Sequence, residues 1–333
     1  HPFNSTVACT VIKDVNYSNG IQYCGNFIQS QQNFDIYVPD VSPYGNLKPI
    51  IIYIHGGGFS SNDKDDILPY VKKNVHKILN SGIAFATINY RLLDLSNNCQ
   101  SETCGVRDKC LDDIARCIKY IKANASIYGI DKNRIGLIGT SAGGTSAQWI
   151  GFGGFEHLYG INNNHYNIQY LDNESTQVKA IYCDKSQYSL DIQSWSAVFT
   201  GQCSTPVLNL VTIRNVLTSD KPCYLHAMYG VGDQSGISLN QIQGLNSYLT
   251  SIDLPSLMTT IQWTKPRIFF RNTNSMTLNM QASSINHHPL HANKLKNQAV
   301  ANTYDTQWYI PNFCNAPTSS PQIDWWDFFM SEL

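Results

Sequence analysis

The sequence predicts an α/β fold in which a mostly parallel central sheet carries helices on both faces. Three observations lead there. Apolar strand-like runs alternate with amphipathic helical patterns from about residue 34 to residue 150, the β-α-β-α-β order that builds a parallel sheet. A buried-looking strand, Ile50-Ile51-Ile52-Tyr53-Ile54, runs straight into His55-Gly56-Gly57-Gly58-Phe59. A second one, Arg134-Ile135-Gly136-Leu137-Ile138, runs into Gly139-Thr140-Ser141-Ala142-Gly143 and then into the small-residue helix Gly144–Ile150.

In chain order, Phe34-Asp35-Ile36-Tyr37-Val38 alternates as an early strand and stops at Pro39. The Ile50–Ile54 strand follows. A helix is predicted from Asp66 to about Asn80, with Leu68, Val71, Val75, Ile78 and Leu79 on one face. Next come the strand Ile83–Asn89 and a loop from Ser96 to Gly105 with two cysteines. A long helix over roughly Val106–Tyr128 presents Leu111, Ile114, Ala115, Ile118 and Ile121 to the core and leads to the strand before Ser141. Val178–Cys183 and Cys223–Tyr229 read as two further central strands. The organisation expected is one domain over residues 1–333. Strands or a hairpin occupy 1–33, a cap is inserted at 184–221, and 234–286 is an irregular insertion longer than a normal connection.

The 333 residues are 42% hydrophobic and 14% charged with a net charge of −1, enough for a sizeable core and without the charge bias that nucleic acid or an anionic surface selects. No apolar run approaches the ~20 residues that span a bilayer. The chain starts at His1, consistent with a removed signal peptide. Ten cysteines (Cys9, Cys24, Cys99, Cys104, Cys110, Cys117, Cys183, Cys203, Cys223, Cys314) suit an oxidising compartment and up to five disulfides. Proximity in sequence suggests Cys9–Cys24 and Cys183–Cys203; free buried thiols are the alternative. None of the spacings is a zinc pattern, and neither metal nor cofactor is expected. Sequons at Asn4, Asn16, Asn124 and Asn173 predict N-glycans. Together these features favour a secreted protein.

Strand–Gly-x-Ser-x-Gly–helix is the context of a nucleophile elbow, a turn so tight that its flanks must be small and its serine stands at the apex. The glycines after His55 let backbone N–H groups face a cavity, where they can hold the oxyanion of a tetrahedral acyl-transfer intermediate. With these two motifs, Ile88-Asn89-Tyr90-Arg91-Leu92, Asp113-Ile114-Ala115 and Tyr128-Gly129-Ile130-Asp131-Lys132-Asn133-Arg134-Ile135 make the chain resemble the α/β-hydrolase family. Within it, the resemblance is to the carboxylesterases and lipases that carry a His-Gly-Gly-Gly loop. It is strong over 34–150, looser over 178–233 and poor elsewhere.

That resemblance implies a Ser–acid–His triad in chain order, with the N–H groups of Gly57, Gly58 and Ala142 as oxyanion donors. Ser141 is then the nucleophile. Asp233, after the strand that follows the cap, is the acid, with Asp184 as the alternative. Of the histidines, His287, His288 and His291 follow Asp233. His287, just before Pro289 and a helix, is the base, with His288 in reserve; His55 has a structural place in the oxyanion loop. A competing register makes Thr306–Ile310 the last strand and Asp324–Phe329 the closing helix, with no histidine between them. The function expected is that of a secreted serine carboxylester hydrolase acting through an acyl-enzyme on a small or polymeric ester. The alternative is a catalytically weak or inactive extracellular structural or adhesion protein on the same fold.

Overall fold

A sheet of nine strands in the order β1-β2-β4-β3-β5-β6-β7-β8-β9 organises the computed structural model, which describes residues 2–18, 24–160, 165–186, 264–271, 289–310, 318–319 and 325–333. The strands are β1 Cys9–Asn16, β2 Asn33–Pro39, β3 Lys48–Ile54, β4 Ala84–Ile88, β5 Ile130–Thr140, β6 Ala180–Asp184, β7 Arg267–Arg271, β8 Thr306–Ile310 and β9 Thr318–Ser319. Pairing from β4 through β3, β5, β6 and β7 to β8 is parallel; β1, β2 and β9 are joined antiparallel at the margins. Strands β3, β4 and β6 are buried at every position, as their largely apolar sequences demand of strands covered on both faces.

Two apolar cores result. One face carries α1 Pro69–Asn80 and α8 Trp325–Glu332, with Val71, Val75 and Ile78 packed beside Tyr182, Phe269, Trp325 and Phe328. The other carries α2 Asp112–Ala123, α4 Ala142–Gly151 and α7 Pro289–Ala301, with Ile114, Ile118, Trp149 and Leu295 against Ile52, Leu137 and Phe270.

Boundaries moved where local chemistry overrides periodicity. Helix α1 begins at Pro69, because the preceding turn is closed by the Asp66 carboxylate accepting the Asp63 N–H at 3.0 Å and because proline suits a first helical turn. The predicted long helix is a π-helical turn, Arg107–Leu111, then α2, then the short α3 Ala125–Tyr128. The break falls at Asn124, whose side-chain amide donates to Tyr120 O at 2.9 Å.

The C-terminal third requires larger corrections. The neighbour of β6 is Arg267–Arg271, inside the stretch expected to be irregular, and β7 is bonded on its other side to β8. Cys223–Tyr229 lies outside the described residues, and both positions beside β7 are filled without it. Thr306–Ile310 is the last parallel strand and α8 the closing helix, so the competing register holds. His287 and His288 therefore precede α7 and β8 instead of following the last strand.

The disulfides also differ. Cys24 is bonded to Cys104, 80 residues away, and Cys99 is disulfide-bonded as well. Cys9, Cys110, Cys117 and Cys183 are free thiols, so neither proximity guess holds and five bridges cannot form. Cys183 is fully buried within a central strand, where burial pushes its thiol far up.

Candidate active site

Both glycine motifs sit at the C-terminal ends of adjacent parallel strands, with Ile54 of β3 in register with Gly139 of β5. That single pairing brings the two loops together. Ser141 takes φ 51° and ψ −121°, a backbone region a non-glycine residue rarely enters. Such a conformation costs on the order of 1–3 kcal/mol and persists only where the surroundings enforce it. The enforcement is visible at Gly143, where any side chain would begin 2.1 Å from Ile54 O and 2.6 Å from His55 O. At Gly139 a side chain would begin 2.2 Å from Gly143 O. Helix α4 is thus pressed onto the end of β3, and its first residue, Ala142, is buried directly after the half-buried Ser141. The turn is tied down further by the Ser141 N–H donating to Asp184 O at 3.0 Å and by the Thr145 N–H donating to Ser141 O at 2.9 Å.

The His55–Phe59 loop faces this turn. A side chain at Gly56 would begin 3.3 Å from Ser141 Cβ, so the two motifs are in van der Waals contact. Gly57 (φ 98°), Gly58 (φ 60°) and Phe59 (φ 62°) are all left-handed, and Gly57 O accepts the Ser60 and Ser61 N–H groups at 3.0 and 3.1 Å. Among the described residues no backbone oxygen takes the N–H of Gly57 or Gly58. Ala142, as the first residue of a helix, has an N–H without an intrahelical acceptor. Among the described residues no hydrogen bond occupies the N–H groups of Gly57, Gly58 or Ala142, the three predicted oxyanion donors.

His55 shapes the loop. Its ring stacks on Tyr90 (centroids 4.3 Å apart, planes 7° apart), its Nδ1–H donates to Gly56 O at 2.8 Å, and Nε2 has no partner. Burial pushes this imidazole below its ordinary value, which keeps it neutral. The Tyr90 hydroxyl donates to His55 O at 3.1 Å and completes the clasp. His165 is committed elsewhere: its Nε2 meets Asp112 Oδ1 at 2.6 Å under the rings of Phe155, Tyr159 and Tyr166.

Asp184, the last residue of β6, stands in register with Thr140 on one side and Arg271 on the other. It is 2% exposed. The Tyr70 hydroxyl donates to its Oδ2 at 3.0 Å, while Oδ1 is buried without a partner. Burial pushes this carboxyl above the usual range; the charges of Arg271 and Lys185 and the Tyr70 hydroxyl oppose the shift without cancelling it. Asp233, His287 and His288 lie outside the described residues. His291 is buried in the first turn of α7. Because α7 runs back along the sheet into β8, that turn is at the same end of the sheet as Ser141.

Comparison with known proteins agrees with this geometry. The family model of BD-FAE matches residues 34–210. Over 120 residues, 34% of the chain, the sequence is 32% identical to the para-nitrobenzyl esterase of Bacillus subtilis (strain 168), covering 22% of that protein. It is 29% identical over 114 residues to the esterase cest-33 of Caenorhabditis elegans, which is 33% of the chain and 19% of that protein. It is 27% identical over 131 residues to venom carboxylesterase-6 of Apis mellifera, 38% of the chain and 22% of that protein. The chain thus spans about a fifth of the length of these curated relatives. In structure it resembles a truncated carbohydrate esterase from gut microbiota (TM-score 0.51, 16% identity, 92% of this chain and 88% of that one). It also resembles a bifunctional GH43-CE protein of Bacteroides eggerthii (TM-score 0.53, 17% identity, 90% and 32%). At these identities the two structures speak for the α/β-hydrolase fold.

Proposed function

The chain belongs to the BD-FAE family, and from that premise we propose that it is a secreted serine carboxylester hydrolase working through an acyl-enzyme. The observation that carries the proposal is the strained Ser141 turn in contact with a loop whose N–H groups are uncommitted. Ser141 Oγ attacks the ester carbonyl, and the negative charge that develops on the carbonyl oxygen is received by the N–H groups of Gly57, Gly58 and Ala142. One such donor is typically worth 100- to 1000-fold in rate. A serine hydroxyl is a weak nucleophile until a histidine takes its proton, returns it to the leaving alcohol and then activates the water that releases the acid. His287, with His288 in reserve, is proposed for that role. The start of α7 at the catalytic end of the sheet supports a base from this stretch. A carboxylate must hold the imidazole, and Asp233 is the residue the chain order suggests.

Secretion and glycosylation are part of the same proposal. The Cys24–Cys104 bridge suits an oxidising compartment. Asn4 and Asn173 are exposed and best placed for glycans among the four sequons. The Asn124 amide is bonded to Tyr120 O, and the Asn16 side chain accepts the N–H of the fully buried Ser18.

A fluorophosphonate probe tests the enzyme reading directly. Native protein is expected to label at Ser141 and to hydrolyse p-nitrophenyl acetate, with both lost in Ser141→Ala while its melting temperature is unchanged or raised. Native, folded protein that stays unlabelled, or a Ser141→Ala variant that still turns over, overturns it and favours a non-catalytic role for the fold.

A further inference from the structure

A groove of about 1050 Å³ opens on the α1 face of the sheet, between α1, the outer strand β1 and the N-terminal turn. Tyr37 of β2, nearly buried, lies at its base, and Phe3 meets that ring edge-on with centroids 4.9 Å apart. Phe3 and Asn4 are both left-handed, at φ 54° and 59°, a conformation that costs non-glycine residues energy and persists only where the surroundings enforce it. The Ser5 hydroxyl and the Thr6 N–H supply that enforcement by donating to Asn80 Oδ1 at 2.9 and 3.0 Å, which pins the turn to the last residue of α1. The groove is separate from the catalytic end. Tyr37 pairs with Phe85, Phe85 with Ile51 and Ile51 with Gly136, so Tyr37 lies three strands sideways from β5 and five residues short of Ser141. Strand spacing and rise make that about 20 Å.

Positive charge reaches the groove from two walls. Lys13 comes from β1, and Lys72, Lys73 and His76 come from α1. All three lysines are exposed, and among the described residues none has an ion-pair partner. Among those residues no carboxylate lines the groove. The carboxylates whose charge reaches Tyr37 are Asp35, Asp65 and Asp14, and two of them, Asp14 and Asp35, are ion-paired to Lys64 at 3.1 Å. Burial pushes the Tyr37 hydroxyl up to about 12, so it stays neutral and repels no anion. Helix α1 begins at this groove, with Pro69 on the rim and no acidic residue in its first turn, so its dipole adds to the same sign. A chain of net charge −1 has no general excess of lysine to account for such a cluster.

We propose that this groove binds an organic polyanion, a molecule with an apolar or aromatic body and two or more acidic groups. The body rests against Phe3 and Tyr37. The acidic groups reach Lys13 on one wall and Lys72 and Lys73 on the other, with His76 as a further donor. Cations on two walls call for more than one anionic group, and a concave site of this volume matches small-molecule pockets. A bilayer surface is too flat for it, and a nucleic-acid duplex selects a broad positive field that a chain of net charge −1 lacks. Such binding needs no chemistry at Ser141, so it stands or falls apart from the hydrolase reading.

The test titrates benzene-1,3,5-tricarboxylate into the full chain by calorimetry and follows the His76 ring resonances by NMR. Each titration is run in the parent and in Asn4→Gln, because Asn4 lines the groove and a glycan there would cover it. Saturable binding that shifts His76 is expected, and Ser141→Ala should bind equally well. Lys72→Gln/Lys73→Gln, conservative on an exposed helical face, should weaken binding by about tenfold or more, as loss of charge-assisted hydrogen bonds does. Lys179→Gln removes an exposed lysine outside the groove and should stay within about twofold of the parent. Citrate, with the same number of carboxylates and no apolar body, should bind about tenfold more weakly. The site is overturned if neither the parent nor Asn4→Gln binds saturably, if His76 does not respond, or if Lys72→Gln/Lys73→Gln binds as the parent does. It is overturned equally if Lys179→Gln weakens binding as much as the double variant, which marks a non-specific charge effect. Citrate that binds as tightly as the aromatic acid overturns the ligand class.

Discussion

Asp113 and Asp184 are both buried carboxylates, 1% and 2% exposed, and the protein surrounds them in opposite ways. Asp113, in the first turn of α2, is saturated. Its Oδ2 receives the Arg91 N–H and Nε–H at 2.9 and 2.8 Å, and its Oδ1 receives Arg91 Nη2 and Gln32 Nε2 at 2.8 and 3.0 Å. Asp184 has a single side-chain donor and an empty second oxygen. A carboxylate bonded from every side is fixed and has nothing left to offer, which is what a structural node needs. A carboxylate bonded from one side is fixed in direction and keeps an unfilled acceptor. Removing a charge from the first should cost stability; doing so at the second, where burial already disfavours the ionised form, should not.

The largest effect tests the structural side. Asp113→Ala strands the Arg91 guanidinium, itself 1% exposed, without its counter-charge. Loss of one partner from a buried ion pair typically costs 3–5 kcal/mol. Denaturant unfolding should show that loss, while kcat per folded molecule stays near the parent's at a temperature where the variant is folded. A variant of full stability would break the comparison, since Asp113 would then be no more structural than Asp184.

The next effect is smaller and asks how far the structural node extends. Arg91 Nη1 donates to Cys24 O and, at 3.3 Å, to Asn26 O, so the segment it anchors is the one the Cys24–Cys104 bridge closes. A bridge over 80 residues removes much unfolded-chain entropy, and its loss in Cys24→Ser/Cys104→Ser should cost about 2–4 kcal/mol. Because both changes release the same segment, combining them with Asp113→Ala should cost less than the sum. Strict additivity in a double-mutant cycle would separate the bridge from the node.

The two aspartates also differ in how legible they were. The Ser141 turn and the His55–Phe59 loop could be read from sequence because their constraint is local: two short glycine motifs, each following an apolar strand, specify the backbone by themselves. Strands β3, β4 and the second half of β5 were legible for the same reason, as short, mostly apolar runs between turn residues. Strand β7 was not. Arg267-Ile268-Phe269-Phe270-Arg271 is only five residues long with a charge at each end, and it becomes a central strand through pairing with β6 and β8 far away in the chain. Misplacing it set His287 after a strand it precedes. The Cys24–Cys104 pairing was hidden likewise, because proximity in sequence says nothing about a contact made by sheet topology. Asp184 itself was visible as a strand-end carboxylate, but its half-satisfied state depends on Tyr70, 114 residues away.

The smallest effect is the pH dependence of stability, and it separates the two sites by sign. Burial holds the Asp184 carboxyl above the usual carboxylate range against the pull of Lys185, Arg271 and the Tyr70 hydroxyl, with Tyr53 and Tyr182 as the other titratable groups facing it. A raised carboxyl keeps its proton longer in the folded than in the unfolded chain. Below the unfolded value both states are protonated and nothing is lost. As pH rises from there through the folded value, the unfolded chain ionises first and the native protein loses stability. Asparagine does not titrate, so the Asp184→Asn variant escapes that loss. Its stability relative to the parent should grow from about pH 4 upward, by on the order of 1.4 kcal/mol for each unit of displacement. Urea midpoints at a series of pH values read this directly. A gap that closes as pH rises would mean that the fold favours the ionised carboxylate at Asp184 as a structural node would, and a flat gap that it favours neither form; in both cases the distinction between the two aspartates would fail.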